Sequence, residues 1–317
     1  MHWQWLESNV HLEAPLSQRR DFGRELIERV LPYELDATTR FTLTPEGIRC
    51  EIDLLRAALS RSDFNLIHLL VRKLENFAEL TDEEKRALHE AASPARAYGS
   101  HEDLLREGEQ AGGVAVVVSG FACRHKMLPD GRRQIIGYFL PGDMCDARVF
   151  ILKKMDHTIS TLAPSMVTTL SREAILDLTS RYPRLTRAFW WNTLVEEAIG
   201  RQWLVSIGQR TAVERVAHLF CEVYVRLQAV GLATPEGCEL PVTQSELADT
   251  VALSTVHVNR TLKELRRVGL VSMSSKALAI HDFAGLRALA MFDPAYLHLE
   301  GEGLIRDRFS QTLLKSL

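Results

Sequence analysis

A chain of 317 residues with 46% hydrophobic content has the material for two ordinary cores. Its formal net charge of −3 excludes a protein coated in basic charge for indiscriminate nucleic-acid binding, while leaving room for a local basic face. Cys50, Cys123, Cys145, Cys221 and Cys238 form no C-x-x-C pair, which excludes a disulfide framework and a zinc-finger spacing and points to a reducing cytoplasm.

The first residues, MHWQWLESNVHLE, lack both a basic start and a continuous apolar stretch, so no secretory signal is expected. No apolar run approaches the ~20 residues of a membrane span. Within residues 1–62, Phe22–Val30 and Ile52–Leu59 suit helices and Arg40–Thr44 a short strand. Two uses stay open for this extension: an accessory element, or sequence ahead of a downstream start. Helices are then expected over Phe64–Phe77 and Asp82–Ala92.

Residues 85–172 change from helical to strand-like character. Gly112-Gly113 precedes a β-rich run, Val114–Val118, and FACRHKML and RRQIIGYFL flank a Pro129-Asp130-Gly131 turn. Pro141-Gly142-Asp143 closes the second of these strands. Ile159–Leu162 and Met166–Leu170 flank Ala163-Pro164-Ser165. Short strands at this spacing predict a jelly-roll-like barrel.

Arg172–Thr179 reads as a helix, and Pro183 starts a longer one over about Leu185–Ile207. Along it Trp191, Leu194, Ala198, Gln202 and Val205 recur every three or four residues, a seam for a partner helix. The same stripe also suits packing on the chain's own barrel, as do Trp190 and Trp203. Gly208 is expected to break this helix and to lie near a hinge. A further helix, Thr211–Val230, leads through a Gly- and Pro-containing linker to the most informative segment.

That segment is VTQSELADTVALSTVHVNRTLKELRRVGL, Val242–Leu270. Thr243 and Glu246 form a capping-box start, and Leu247 and Val251 bury one face. Ala252-Leu253-Ser254 makes a sharp corner, with Ser254 capping a second helix. Val258, Leu262 and Leu265 point that helix's apolar side inward, so Thr255, Val256, Asn259, Arg260 and Lys263 face out. From Ser254 to Leu270 four basic residues stand against one acidic residue. A short helix, a tight corner and a polar-basic second helix suit the major groove of double-stranded DNA. Val268-Gly269 ends the second helix, and Leu270–Met273 and Ala277–Ile280 around Ser274-Ser275-Lys276 read as a β-wing. The competing reading is a small helical packing module that happens to contain a corner.

Taken together, SGFACRHKMLPDGRRQIIGYFLPGDM, AVERVAHLF and SELADTVALSTVHVNRTLKELRRVGLV resemble the Crp/Fnr family of bacterial transcription regulators over roughly residues 63–298. The resemblance implies a homodimer that sets two recognition helices into successive major grooves of a near-palindromic operator. It assigns base reading to Thr255, Val256 and Arg260, with Arg260 donating two parallel hydrogen bonds to guanine. Gln244 and Ser245 stand where phosphate contacts are made, although a solvated helix start would look the same. Many members carry glutamate where this chain has Val256, which suits a thymine methyl instead, so a different operator is expected.

The chain departs from the cyclic-nucleotide-binding members. After Pro141-Gly142-Asp143 come Met144-Cys145-Asp146 in place of a Gly-Glu pair, and the later Arg-Ser/Thr-Ala triplet is His157-Thr158-Ile159. Lys153 and Lys154 are the nearest fixed cations, so the usual cyclic AMP mode is not expected. The effector region comprises Gly142, Asp143, Cys145, Asp146, His157 and Thr158. Only Cys50 precedes the barrel, against the clustered cysteines of iron–sulfur members. His101, His125 and His157 are formal haem ligands, a role that strand-end histidines seldom fill. Cys145 with Asp146, and Asp156 with His157, would meet in a metal or redox site only if the loop between them folds back. No spacing of a known metal type is present, so neither metal nor cofactor is expected, and Cys145 also suits a small buried hydrophobe.

The expected architecture is α+β: an extension of unknown role (1–62), a cyclic-nucleotide-binding-like jelly-roll β-barrel sensor domain (63–184), a dimerisation helix (185–208), a C-terminal winged helix-turn-helix (209–300) and a tail (301–317). The expected protein is a non-enzymatic, cytoplasmic, homodimeric regulator. Its partners would be DNA, its own second copy and, for an activator, RNA polymerase, with no membrane. The alternatives are a cupin-like metalloenzyme, which lacks an H-x-H pair here, and a small-ligand-binding module whose C-terminal part serves a protein partner.

Overall fold

The structure, a computed structural model, describes residues 2–8, 37–44, 47–54, 67–147, 154–274 and 276–299. The chain divides into two compact units, Met1–Asn65 and Leu66–Leu317. In the first, β1 (His2–Ser8), β2 (Ala37–Thr44) and β3 (Gly47–Leu54) form an antiparallel sheet in the order β1-β3-β2. The strand expected at Arg40–Thr44 is part of β2. Ile52–Leu54 end β3 instead of opening a helix, because Ile48, Cys50 and Ile52 alternate with the period of a strand and β3 pairs on both sides. The helix expected at Phe22–Val30 lies outside the described residues.

The second unit opens with α1 (His68–Leu74) and α2 (Asp82–Ala91), the latter held by a Thr81–Glu84 capping box. The barrel follows as two antiparallel sheets. One has the order β5-β10-β7-β8: β5 (Asp103–Leu105), β10 (Thr158–Thr161), β7 (Ala122–Met127) and β8 (Arg133–Phe139). The other has the order β4-β11-β6-β9: β4 (Arg96–Tyr98), β11 (Ser165–Ser171), β6 (Gly113–Ser119) and β9 (Met144–Cys145).

β7 and β8 supply buried residues to two cores, one inside the barrel and one outside it. Ala122 and Phe139 join Val114, Val116, Met144 and Leu170 inside the barrel. Cys123, Ile135 and Tyr138 pack outward with helices and the C-terminal region. This is why Ile135–Leu140 reads as an almost continuous apolar run rather than as strict alternation.

After α3 (Arg172–Arg181), Pro183 sits in the first turn of α4 (Pro183–Gln209). Gly208, expected from the sequence to break α4, does not; the helix runs through it to Gln209. A glycine costs only about 1 kcal/mol in a helix interior, and Arg215 anchors this end by donating to the carbonyls of Ile207 and Arg210. A Thr211–Glu214 capping box then starts α5 (Ala212–Ala229). The expected linker contains a hairpin, β12 (Ala233–Thr234) and β13 (Gly237–Glu239), and β13 extends the wing sheet. α6 (Gln244–Val251) and α7 (Thr255–Arg267) precede the wing strands β14 (Val271–Ser274) and β15 (Ala277–Ile280). α8 (Phe283–Ala290), without a sequence-based forecast, packs on α5 through neighbours such as Tyr224 and Phe283.

Candidate DNA-binding face and barrel site

The corner between α6 and α7 is built as its residues require. Thr243 accepts from the Glu246 amide at 3.2 Å, and Glu246 accepts from the Thr243 amide at 2.7 Å. Ala252 adopts the left-handed conformation at φ 53°, and Leu253 N–H bonds back to the Ala248 carbonyl at 3.1 Å. Ser254 then caps α7 by accepting from His257 N–H at 3.3 Å. Val258, Thr261 and Leu265 are buried, and Leu262 is half-buried. At the far end Gly269 has φ 74°, Leu270 N–H returns to the Leu265 carbonyl and Gly269 N–H to that of Arg266. That pair of bonds is a Schellman close, which a residue with a Cβ would strain.

The outer face is as expected. Thr255, Val256, Arg260 and Lys263 are exposed, Val256 by 79%, and Ser254, Gln244 and Ser245 lie open beside them. Asn259 is half-buried because its amide donates to Gln244 Oε1 at 3.1 Å, tying α7 to the start of α6. One residue escaped the sequence reading for want of a local signature: Arg215 of α5 donates to the Val251 carbonyl at 2.6 Å, fixing the corner against the α4–α5 junction. Lys276, in the expected wing turn, is exposed.

The effector-region residues separate into two groups. Gly142 turns the chain at φ 91°, so close to Leu69 that a Cβ would meet its carbonyl oxygen at 2.8 Å. Asp143 points inward, 2.6 Å from both Lys73 Nζ and the Arg226 guanidinium, and its carboxylate accepts from Leu140 N–H at 2.7 Å. Burial pushes this carboxyl up, but the Lys73 and Arg226 charges and the Leu140 amide outweigh it and hold the pKa below the usual range. Arg226 also donates to the Tyr138 carbonyl and pairs with Glu222, which accepts from Trp203 Nε1 and the Tyr296 hydroxyl. Gly142 and Asp143 therefore tie the barrel to α5 rather than facing a ligand. Cys145 is buried, and burial, with the Asp143 and Glu196 charges, pushes its thiol well above the usual range, unlike a reactive thiol.

Asp146 and His157 form the second group. Both are buried, and with Asp156 they bring one ligand atom each to within 4.8 Å of one another. Of the four residues expected to meet, Asp146, Asp156 and His157 come together and Cys145 is not among them. Thr158 holds the neighbouring loop by accepting from Glu107 N–H at 3.1 Å. A cavity of ≈ 210 Å³ beside this group is lined in part by Arg124, Asp156 and His157 from the barrel and Thr193, Glu196 and Gly200 from α4. His101 lies 3.4 Å from Glu246 of α6, and His125 is hydrogen-bonded to Ser160 at 2.9 Å. Lys154 is exposed; Lys153 lies outside the described residues.

Along α4 the expected seam residues divide between buried and exposed positions. Trp191 is half-buried, 6.0 Å from the Phe77 ring, Ala198 is buried within its own chain, and Gln202 is half-buried. Leu194 and Val205 are exposed, as are Trp190 at 69% and Leu204 at 73%. Of the tryptophans expected to suit the barrel, Trp203 packs edge-on to Tyr138 at 5.4 Å, whereas Trp190 does not pack there.

The sequence profile of the Crp-like helix-turn-helix domain matches residues 214–289, and that of the cyclic nucleotide-binding domain matches residues 95–182. The chain belongs to the Crp/Fnr family. It is 28% identical over 209 residues to the transcriptional activator protein FnrL of Cereibacter sphaeroides, covering 65% of this chain and 84% of that one. To the nitrogen fixation regulation protein FixK of Bradyrhizobium diazoefficiens it is 29% identical over 195 residues, covering 61% and 80%. The structure of FixK2 from Bradyrhizobium japonicum superposes with a TM-score of 0.56 at 25% identity, over 62% of this chain and 96% of that one. This Crp/Fnr protein is a DNA-binding transcription regulator and not an enzyme, and the cupin-like alternative is not favoured. Among the described residues, no helix is long and apolar enough to cross a membrane.

Proposed function

We propose that this Crp/Fnr regulator works in the cytoplasm as a homodimer that reads a near-palindromic operator with α7. One observation carries the reading: Thr255, Val256 and Arg260 stand exposed on a helix capped at both ends and braced by a wing. Arg260 supplies the bidentate contact to guanine, Val256 the contact to a thymine methyl, and Gln244, Ser245, Ser254 and Lys263 the phosphate contacts. Asn259 positions the two helices through Gln244. The exposed residues Trp190, Leu194, Leu204 and Val205 support a two-fold contact along α4, with Trp191, Ala198 and Gln202 filling the protomer side. The name of FnrL, a transcriptional activator protein, supports activation, which would bring RNA polymerase to the promoter.

The barrel acts as the sensor, and its signal is not a cyclic nucleotide held in the usual mode. Asp143 is consumed by Lys73 and Arg226, and Met144-Cys145-Asp146 stand where relatives place a Gly-Glu pair. The domain division remains that of the sequence: residues 63–184, 185–208 and 209–300.

Operator selection from a random duplex pool, followed by anisotropy titrations, tests this reading. Arg260→Ala is expected to cost about 1–3 kcal/mol per half-site and to relax preference at one base pair. Unchanged affinity and unchanged base preference in that variant would refute the assignment.

A further inference from the structure

Asp146, Asp156 and His157 belong to none of the roles assigned so far. Asp146 follows β9, and Asp156 and His157 lead into β10. The two ends of the imidazole have different neighbours. His157 Nδ1 is 2.7 Å from Asp156 Oδ1, a hydrogen bond that places the ring proton on Nδ1 and leaves the Nε2 lone pair for another partner. Nε2 is buried, makes no hydrogen bond, and lies 3.5 Å from Asp146 Oδ2. His157 as a whole is 3% exposed and Asp146 2%.

A nitrogen and an oxygen bound tetrahedrally to one cation at about 2.0–2.1 Å each stand roughly 3.4 Å apart. The observed separation matches that geometry. A buried imidazole nitrogen aimed at a carboxylate yet not hydrogen-bonded to it is the arrangement a shared cation explains. The Asp156–His157–Asp146 order is also that of a carboxylate orienting a metal-ligating histidine through its far nitrogen.

We propose that His157 Nε2 and the Asp146 carboxylate hold a divalent first-row transition ion, zinc being the probe of choice. Asp156 fixes the histidine tautomer, and water from the adjacent cavity fills the remaining positions. One imidazole nitrogen and one carboxylate oxygen favour such an ion over magnesium, which prefers all-oxygen octahedra. Because Thr193, Glu196 and Gly200 of α4 line the same cavity, the bound ion and its waters would face the helix proposed as the dimer contact. The inference places a ligand in the barrel proposed above as the sensor. Its test involves no DNA, so its failure leaves the operator reading standing.

The full chain, stripped with chelator, is titrated calorimetrically with Zn²⁺ and with Mg²⁺, and its Co²⁺ spectrum is recorded. The expected result is saturable zinc binding at one ion per chain and no heat with magnesium. The Co²⁺ spectrum should show the d–d bands of a tetrahedral N/O site in the visible without thiolate charge transfer. Asp146→Asn and His157→Gln should abolish saturable binding. Asp156→Asn changes an exposed side chain without burying a new group, and should weaken binding by about 10–100-fold. Absence of zinc uptake by the unsubstituted chain, uptake that survives His157→Gln, wild-type affinity in Asp156→Asn, or cobalt–thiolate bands would each overturn the proposal.

Discussion

Arg226→Met is the sharpest test of the buried charges between barrel and α5. The arginine has an 11% exposed side chain and serves Asp143 at 2.6 Å, the Tyr138 carbonyl at 3.0 Å and Glu222 at 3.4 Å. Methionine keeps much of the aliphatic stem, so the change removes charge and donors rather than volume. Asp143 keeps Lys73, and Glu222 keeps the Trp203 and Tyr296 donors, but both carboxylates lose their shared cation in a buried setting. Breaking a buried pair from one side costs about 3–5 kcal/mol, roughly a fifth or more of the stability of a typical domain, about 5–15 kcal/mol. Urea unfolding followed by tryptophan fluorescence measures it, since Trp203 Nε1 is bonded to Glu222. In a double-mutant cycle, Asp143→Asn should recover part of the loss, with a coupling of about 0.5–3 kcal/mol. The pH dependence has a definite sign. The Asp143 carboxyl is held below its ordinary 3.8, so its contribution is complete above that value and disappears as pH falls through the lower folded value. A loss under about 1 kcal/mol, below the cost expected for an uncompensated buried charge, would refute the reasoning.

Leu204→Glu, on the exposed face of α4, should yield a folded monomer in sedimentation, whereas Ala198→Glu, within the protomer, should lower the melting temperature as well; a dimeric Leu204→Glu protein would place the contact elsewhere. Burial, with Arg210 nearby, pushes His218 down to about 4, so its stabilising effect is complete above the unfolded value of 6.5 and is lost between 6.5 and about 4 as pH falls. Stability curves of the wild type and His218→Phe should diverge over that window by on the order of 3 kcal/mol, and parallel curves would contradict the assignment. Calorimetry with cyclic AMP and cyclic GMP should show no saturable binding at micromolar concentrations. Binding lost in Lys154→Ala would instead reveal a remodelled phosphate site.

The helix-turn-helix was legible because its signals are local. A capping box, a left-handed corner, a serine cap and a glycine close each occupy a few consecutive residues, and Thr243, Ser254 and Gly269 do what those residue types do. The α4 stripe proved only partly exposed, because both sides of that helix carry apolar groups and its own chain takes some of them. Periodicity alone does not distinguish Trp190 from Trp191 when the barrel takes one and leaves the other exposed. Gly208 misled for a related reason: helix propensity is weak against the tertiary anchoring that Arg215 provides. The Asp146–His157 pairing was a distant contact with no spacing rule, visible only once the barrel strands brought the two ends of the loop together.

The same strand that closes the barrel also holds the helix-turn-helix. Arg133 pairs with Asp249 at 2.8 Å, Gln134 donates to the Thr250 carbonyl at 3.2 Å, and the Tyr138 hydroxyl meets Thr250 Oγ1 at 2.5 Å. These contacts reach α6 and leave the outer face of α7 open, so barrel docking and base reading use different sides of one motif. The inward neighbours of β8 belong to the barrel core and its outward neighbours to the core shared with α5. A shift of β8 therefore disturbs both packed interiors, and close-packed interiors resist small displacements. An effector in the barrel changes the orientation of α7 only by binding one arrangement of β8 and α4 better than another. The cavity lined by His157 and by Thr193 and Gly200 of α4 lies between the barrel and that helix, so a ligand there would contact both. At the far end of α4, one Arg215 guanidinium holds the helix's last turn and the corner of the helix-turn-helix together, so a displacement of either strains the same side chain.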